Sequence, residues 1–173
     1  MTTNYNVFIW VNDMSLKIAL LIILVIMIML IALGVVKQYR ERHSIFLELS
    51  MLLNEYELNI GFRKEKLRNL ISNFHATGEL KHILKNYLDN FNNTNNLNFD
   101  ELKLLQIEEK QFLVAMFQKL GTSDYDNEKL QLATFKSYIE DKLKDTKEKK
   151  NKLCPLILKL TFLFALGLAI IFI

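Results

Sequence analysis

Apolar residues fill two long stretches of this chain, one near each end. The first, residues 18–36, contains no charged residue, no Asn, no Gln and no Pro. A helix of that length spans about 28 Å and is apolar on every face, which suits the hydrocarbon layer of a bilayer. A signal peptide is the alternative, but its apolar region is normally about 7 to 15 residues long. The pattern therefore predicts a retained transmembrane helix over residues 15–37 after a short leader, residues 1–14. Translation begins at either Met1 or Met14.

The second apolar stretch, residues 153–173, reaches about 31 Å as a helix and is also long enough to cross a bilayer. Two residues interrupt it. Lys159 has a stem long enough to carry its ammonium back to the headgroups. Pro155 falls in the first turn of the predicted span, where a missing amide donor costs least. A span beginning only at Leu160 would reach about 21 Å, which is short for a bilayer, so we predict a second transmembrane helix over residues 153–173.

Charges beside the two spans predict their orientation. Residues 37–42 contain three Lys or Arg, whereas Lys17 alone precedes the first span. Residues 142–152 contain six lysines, and no charged side chain follows the second span. Positive charge marks the cytoplasmic side of a membrane helix. Both spans therefore place residues 38–152 in the cytoplasm and both termini outside, as in a cell-membrane protein with two spans.

Between the spans, apolar residues recur at helical spacing and isolated breakers separate the runs. Five glycines and one proline in 173 residues argue against a turn-rich β fold, so we predict an all-α cytoplasmic domain. We expect a helix from the first span to Gly61 and helices over residues 63–74 and 79–91, followed by an exposed loop over 92–96. Asp100 is predicted to cap the next helix, which either continues unbroken to Gly121 or breaks near Glu108 and Glu109. A last helix carries Leu132, Phe135, Ile139 and Leu143 on one face. Residues 145–152 have no apolar side chain and are predicted to form a solvated stalk.

Composition narrows the classes of function. About 115 residues between the spans suffice for one modest domain. Residues 37–152 have 20 Lys and Arg against 18 Asp and Glu, a balance that argues against nucleic acid as a partner. The single cysteine, Cys154, excludes an internal disulfide and fits a reducing compartment.

No constellation for catalysis, a cofactor or a metal emerges, so we predict that the protein is not an enzyme. The three histidines, His43, His75 and His82, are interpreted as surface or helix-end residues. The acidic residues Glu48, Glu55, Glu57, Glu108 and Glu109 are interpreted as parts of solvated faces, and Phe112, Phe117 and Phe135 as core. The segment from Leu120 to Asp124 is predicted to form a tight corner, with Gly121 ending one helix and Ser123 or Asp124 capping the next.

The corner carries a resemblance to a known family. Residues 117–124 read FQKLGTSD, and a long charged helix, a lysine-rich stalk and a terminal apolar segment with Leu166-Gly167-Leu168 follow them. This arrangement resembles the carboxyl half of stage III sporulation protein AB, which has a Leu-Gly-x-x-Asp corner there and one apolar helix at each end. Residues 55–61 resemble the family's acidic, apolar run closing on glycine. Gln131 is the candidate for the family's Gln after the Asp.

The resemblance implies a helical domain like the F domain of type II secretion platforms. It implies a component of the channel between mother cell and forespore, in the mother-cell membrane around the forespore, docking a secretion-type ATPase and other channel proteins. A homo-oligomer is compatible with that role. Leu120, Gly121 and Asp124 are the residues that match the family's corner. A generic helical membrane scaffold or sensor unrelated to sporulation is the alternative, whereas a lytic pore-forming protein would need polar stripes that residues 18–36 lack.

Overall fold

A computed structural model describes residues 3–58 and 64–172 of the chain, with side chains within 16–58, 67–94 and 96–171. All regular structure in these residues is helical, which confirms the predicted all-α class. In chain order the elements are α1 (Thr3–Leu58), α2 (Lys64–Asn73), α3 (Gly78–Asp89), a short 3-10 helix (Thr94–Asn96), α4 (Ile107–Lys119) and α5 (Tyr125–Phe172).

The chain divides into two compact units, one formed by Met1–Lys37 with Asn151–Ile173 and the other by Gln38–Lys150. The first contains the apolar parts of α1 and α5, and both helices are long and apolar enough to cross a membrane. Most large apolar side chains described in this unit are exposed, an arrangement that water disfavours and lipid accepts. The two helices therefore fit a membrane protein. The direction in which they cross, and the boundaries assigned to each span, stay predictions.

Within the first unit, α1 contacts α5 at Val36 and Cys154. Ala32, Val36 and Cys154 are buried there. The thiol of Cys154 lies 3.9 Å from the carbonyl oxygen of Val36, to which it donates a weak hydrogen bond. This contact explains why the chain's one cysteine is buried.

The second unit has a continuous apolar core to which all five helices contribute. Tyr87 of α3 lies near its centre, with its ring 4.8 Å from that of Phe117 and 5.5 Å from that of Phe91. The core interpretation of Phe117 and Phe135 is confirmed, and Phe112 packs against the core while partly exposed. The fully or almost fully buried members include Phe46, Leu49, Leu53, Ile71, Leu80, Ile83, Tyr87, Leu113, Met116, Phe117, Leu132 and Ile139.

The breakers between the short helices act as predicted where the structure describes them. Helix α2 ends at Asn73, and α3 begins at Gly78, whose φ of 52° lies in the left-handed region that glycine tolerates best. The predicted helix end at Gly61 lies outside the described residues; α1 extends at least to Leu58. The Asn-rich loop is largely exposed and contains the 3-10 helix.

The predicted start of α4 at Asp100 is wrong, because the helix begins at Ile107. Side chains satisfy the preceding backbone amides and leave no need for a helix there. Asn98 accepts from the Asp100 amide at 2.6 Å, and the Glu79 carboxylate accepts from the amides of Lys103 and Leu104 at 3.2 and 3.4 Å. Leu102 and Leu105, which were assigned to the helix, are buried from this loop instead.

Helix α5 corrects two further predictions. It runs from Tyr125 to Phe172, so Pro155 lies in the interior of a helix and not in a first turn. Pro155 has no amide hydrogen, so the Asn151 carbonyl lacks its helical donor. The predicted solvated stalk is also wrong in one respect. Thr146 is 3% exposed, and its hydroxyl contacts His43 of α1.

Candidate functional site

The corner between α4 and α5 has the local geometry that its sequence predicts. Leu120 is the C-cap of α4 and is buried, and its amide donates to the Met116 carbonyl at 3.0 Å. Gly121 follows with a φ of 74°, the left-handed conformation typical of a glycine after a helix. Asp124 immediately precedes α5, and its carbonyl accepts from the Glu128 amide at 2.8 Å. The corner is thus a capped turn with an exposed carboxylate at Asp124.

Glu128 ties this corner to α1, and no sequence argument had singled it out. Its side chain is 6% exposed. One carboxylate oxygen, Oε1, accepts from the Tyr56 hydroxyl at 2.8 Å and from the Gly121 amide at 2.7 Å. The other oxygen accepts from the Ser123 amide at 3.3 Å. These three donors replace the hydrogen bonds to water that the carboxylate loses when it is buried.

The Glu128 carboxylate affects the pKa values of two tyrosines. Burial, followed by the hydrogen bond to Glu128, raises the pKa of Tyr56. Burial and the charge of Glu128 likewise raise the pKa of Tyr87, whose ring is fully buried. Both phenols therefore stay protonated at physiological pH, and Tyr56 acts as a donor to Glu128.

Gln131 lies one helical turn further along α5 and also faces the corner. Its side-chain amide donates to the Ser123 hydroxyl at 3.0 Å. The candidate for the family's Gln thus contacts the corner whose Leu, Gly and Asp carried the resemblance. An acidic residue in the first turn of α5, directly after a glycine-containing corner, is the signal that would have pointed to Glu128.

A second buried carboxylate, Glu109, joins three helices. It is fully buried, which contradicts its interpretation as part of a solvated face. Its Oε1 lies 2.7 Å from the Arg42 guanidinium of α1 and 3.7 Å from the Lys142 ammonium of α5. Its Oε2 accepts from the Gln106 amide at 2.9 Å and so caps α4. Periodicity could not reveal this role, because both cations come from segments distant in sequence.

His43 of α1 is buried, contrary to the surface interpretation. Its Nδ1 is 3.4 Å from the Thr146 hydroxyl. Burial, followed by the charges of Lys150 and Lys147, lowers the pKa of His43. The ring is therefore neutral at pH 7 and joins α1 to α5 without adding charge. His75 and His82 are exposed, as predicted.

Three further acidic residues interpreted as solvated, all of them in α1, divide into two cases. Glu48 is half-buried and accepts from the Thr77 amide at 2.8 Å, and it also accepts from the Thr77 hydroxyl. This places a carboxylate at the amino terminus of α3, a favourable position for negative charge. The solvated interpretation is therefore wrong for Glu48. Glu57 is exposed but pairs with Lys136 at 2.6 Å, and Glu55 is exposed.

The described residues show no catalytic arrangement around these carboxylates. No group of three or more His, Cys, Asp or Glu side chains among them is placed to hold a metal ion. An open depression between the Asn-rich loop and α4 has Asp100, Lys110 and Gln118 among its lining residues, and no Ser, Thr, Cys or His side chain lines it. The site consists of a capped corner and of buried carboxylates that bond to residues of other helices.

Comparison with known proteins agrees with the corner resemblance. The chain matches the family described as stage III sporulation protein AB over residues 17–173, which include both apolar helices and the corner. No curated protein and no solved structure matches the chain. Nearly the whole sequence is covered by the family match, and we conclude that this chain belongs to the stage III sporulation protein AB family.

Proposed function

We propose that this protein is an integral membrane platform component of the channel complex between mother cell and forespore, needed for endospore development. The family match over residues 17–173 carries the proposal, because it supports a role in sporulation and spans both candidate membrane helices. By resemblance, the protein docks a secretion-type ATPase and other channel proteins. We assign it no catalytic step.

The proposed topology places residues 38–152 in the cytoplasm of the mother cell, with both termini on the other side of the membrane around the forespore. Its support is the excess of Lys and Arg in residues 37–42 and 142–152. A tag after Ile173 would then be accessible from outside the cytoplasm. A tag after Ile173 that labels only from the cytoplasm contradicts this topology.

We place the partner surface at the corner formed by Leu120, Gly121 and Asp124. Asp124 and the neighbouring Tyr125 are exposed, while Leu120 is buried and Glu128 holds the turn from beneath. An exposed aromatic and an acidic residue on a rigid turn form a surface that can recognise a basic partner with little loss of entropy on binding. The F-domain-like assignment belongs to this proposal and adds the secretion-type ATPase as the expected partner.

Affinity purification from sporulating cells tests the docking. We expect the tagged full chain to recover a secretion-type ATPase and companion membrane proteins. Asp124→Asn combined with Tyr125→Ala should reduce that recovery, because Asn preserves the helix cap while the charge and ring are lost. Asp89→Asn, at an exposed position at the end of α3, is the matched control and should leave recovery unchanged.

Deletion of the gene tests the sporulation role separately from docking. We expect development to stop after engulfment and the yield of heat-resistant spores to fall sharply. A normal spore yield would remove the sporulation assignment. Constitutive expression in vegetative cells, with no change in spore yield, would favour the generic membrane scaffold or sensor.

A further inference from the structure

Lys159 is attached to α5 inside the level at which both apolar helices begin. Cys154 contacts Val36, which is the last residue of the first apolar stretch and the neighbour of Lys37. We therefore take the level of Val36 as the same edge of the bilayer for both predicted spans. Lys159 lies five residues beyond Cys154, which is about 7.5 Å further along α5. Its side chain is exposed, so a positive charge projects from the part of α5 that enters the apolar layer.

Neither apolar segment supplies a counter-charge for Lys159. Residues 14–37 and 151–173 contain no Asp and no Glu. Asp13 is the only acidic residue in the unit that contains Lys159, and two spans would place it on the other side of the bilayer. A carboxylate that pairs with Lys159 must therefore come from outside this unit.

The side chain of Lys159 faces away from α1. The α5 side chains that are buried or half-buried in this unit lie mostly on one side of the helix and include Cys154, Ile157, Leu158, Thr161, Ala165 and Leu168. Lys159 is turned about 140° around the helix from Cys154, at about 100° per residue. Charged residues inside membranes almost always face the interior of a helix bundle and pair there. The contact between α1 and α5 does not provide that interior for Lys159.

Apolar residues extend the face of α5 that carries Lys159. The residues of this face are exposed and are spaced alternately by three and four positions; they are Leu156, Lys159, Leu163, Leu166 and Ile170. This spacing keeps side chains on one seam against a neighbouring helix, as in coiled coils and most membrane helix bundles. We call these five residues the Lys159 ridge. It presents one cation within an otherwise apolar seam.

We propose that the Lys159 ridge docks a transmembrane helix of another protein, one that carries an Asp or Glu side chain at the depth of Lys159. Such a helix covers the apolar residues and also pairs the cation. A second copy of this chain fits poorly, because a parallel pair about a twofold axis would bring two Lys159 ammonium groups together. The proposal requires that both apolar helices enter a bilayer, and it is independent of the channel and of the ATPase.

Fluorescence energy transfer in phosphatidylcholine vesicles tests this proposal on the full chain, with a donor fluorescent protein fused after Ile173. The probes are two synthetic transmembrane helices made of Leu and Ala, each labelled with an acceptor dye. One carries a Glu at a depth matched to Lys159, and the other carries a Gln at that position. We expect the Glu helix to associate with the chain roughly tenfold more strongly than the Gln helix.

Substitutions of Lys159 test whether its charge causes this preference. Lys159→Leu should abolish the preference for the Glu helix, and Lys159→Arg should preserve it because the cation remains. Lys129→Leu makes the same change at an exposed position outside the apolar segment and should leave the preference unchanged. Circular dichroism checks that each variant keeps its helical content.

Substitutions of the apolar residues test whether the ridge is the docking surface. Leu163→Ala with Leu166→Ala should weaken the association of both synthetic helices, because the seam loses packing area. Ile22→Ala with Met29→Ala changes two exposed apolar residues of α1 and serves as the matched control. The control should bind both helices as the parent chain does.

Three results would overturn the proposal. Equal association of the Glu and Gln helices with the parent chain would show that lipid headgroups satisfy Lys159. A preference that survives in Lys159→Leu would place the binding site elsewhere. Energy transfer between two copies of this chain that is abolished by Leu163→Ala with Leu166→Ala would identify a second copy as the occupant. None of these results bears on spore yield or ATPase recovery, so the proposed function is tested separately.

Discussion

Tyr56 of α1 donates a hydrogen bond of 2.8 Å to the buried carboxylate of Glu128 in α5, although 72 residues separate the two in sequence. The same carboxylate oxygen accepts from the amide of Gly121. The turn between α4 and α5 is thereby attached to the first helix. The corner at Leu120, Gly121 and Asp124 is thus held by hydrogen bonds to residues outside the motif, Tyr56 and Glu128.

Replacing Glu128 by Gln should lower the free energy of unfolding by about 1–3 kcal/mol. The neutral amide oxygen accepts weaker hydrogen bonds than a carboxylate does, and the buried amide NH2 group has no acceptor to replace water. Thermal unfolding of the full chain in detergent measures the loss. Glu57→Gln, which alters an exposed ion pair, serves as the control and should change stability by less than about 1 kcal/mol. Equal effects of the two changes would show that the Glu128 contacts do not stabilise the fold.

Tyr56→Phe should couple to Glu128→Gln. Removing the hydroxyl alone takes one donor from a buried carboxylate and should cost about 1–2 kcal/mol. The double variant should be more stable than the sum of the two single losses implies, because both changes break the same bond. A double-mutant cycle that gives additive losses would contradict a direct Tyr56–Glu128 interaction.

Glu109→Gln should destabilise the second unit more than its neighbour Glu108→Gln. The change leaves Arg42 and Lys142 without their shared counter-ion, and breaking a buried ion pair costs about 3 kcal/mol or more. Glu108 is exposed, so its substitution should be nearly neutral. Chemical denaturation of both variants under the same conditions provides the comparison, and similar midpoints would argue against the three-helix charge cluster.

Gly121→Ala should destabilise the chain by about 1–2 kcal/mol, because φ of 74° forces a side chain into the left-handed region. Gly167 lies within α5, and a Cβ added there meets no atom within 4 Å. Gly167→Ala is therefore the matched control and should be neutral or slightly stabilising. If both variants unfold at the same temperature, the left-handed conformation of Gly121 makes no difference to the free energy of unfolding.

Stability should fall as the pH drops below the ordinary His43 pKa of 6.5. The folded state lowers the pKa of His43 through burial and the charges of Lys150 and Lys147, so between the lowered and ordinary values the unfolded chain binds more protons. Protonation therefore favours unfolding in that window. His43→Gln should flatten this part of the stability profile, whereas His82→Gln, at an exposed position, should leave its slope unchanged.

Local patterns allowed the secondary structure to be predicted in most places. The apolar repeats of α2 and α3 matched their helices because each buries one face against the core. Gly121 ended α4 as expected, since its role depends only on backbone conformation. The start of α4 was missed because Asn98 and Glu79 compete with helix formation through side-chain hydrogen bonds, one of them from another helix.

By itself, the sequence determined the helical class, the two apolar segments and the corner, because each depends on residue type and spacing along a short stretch of chain. Tertiary structure alone decided which ionisable groups are buried. Glu109, Glu128 and His43 look like ordinary polar residues in sequence, and only folding brings Arg42, Tyr56 and Thr146 within bonding distance of them. A charge leaves water only where distant partners compensate it, and that compensation is a property of three-dimensional packing.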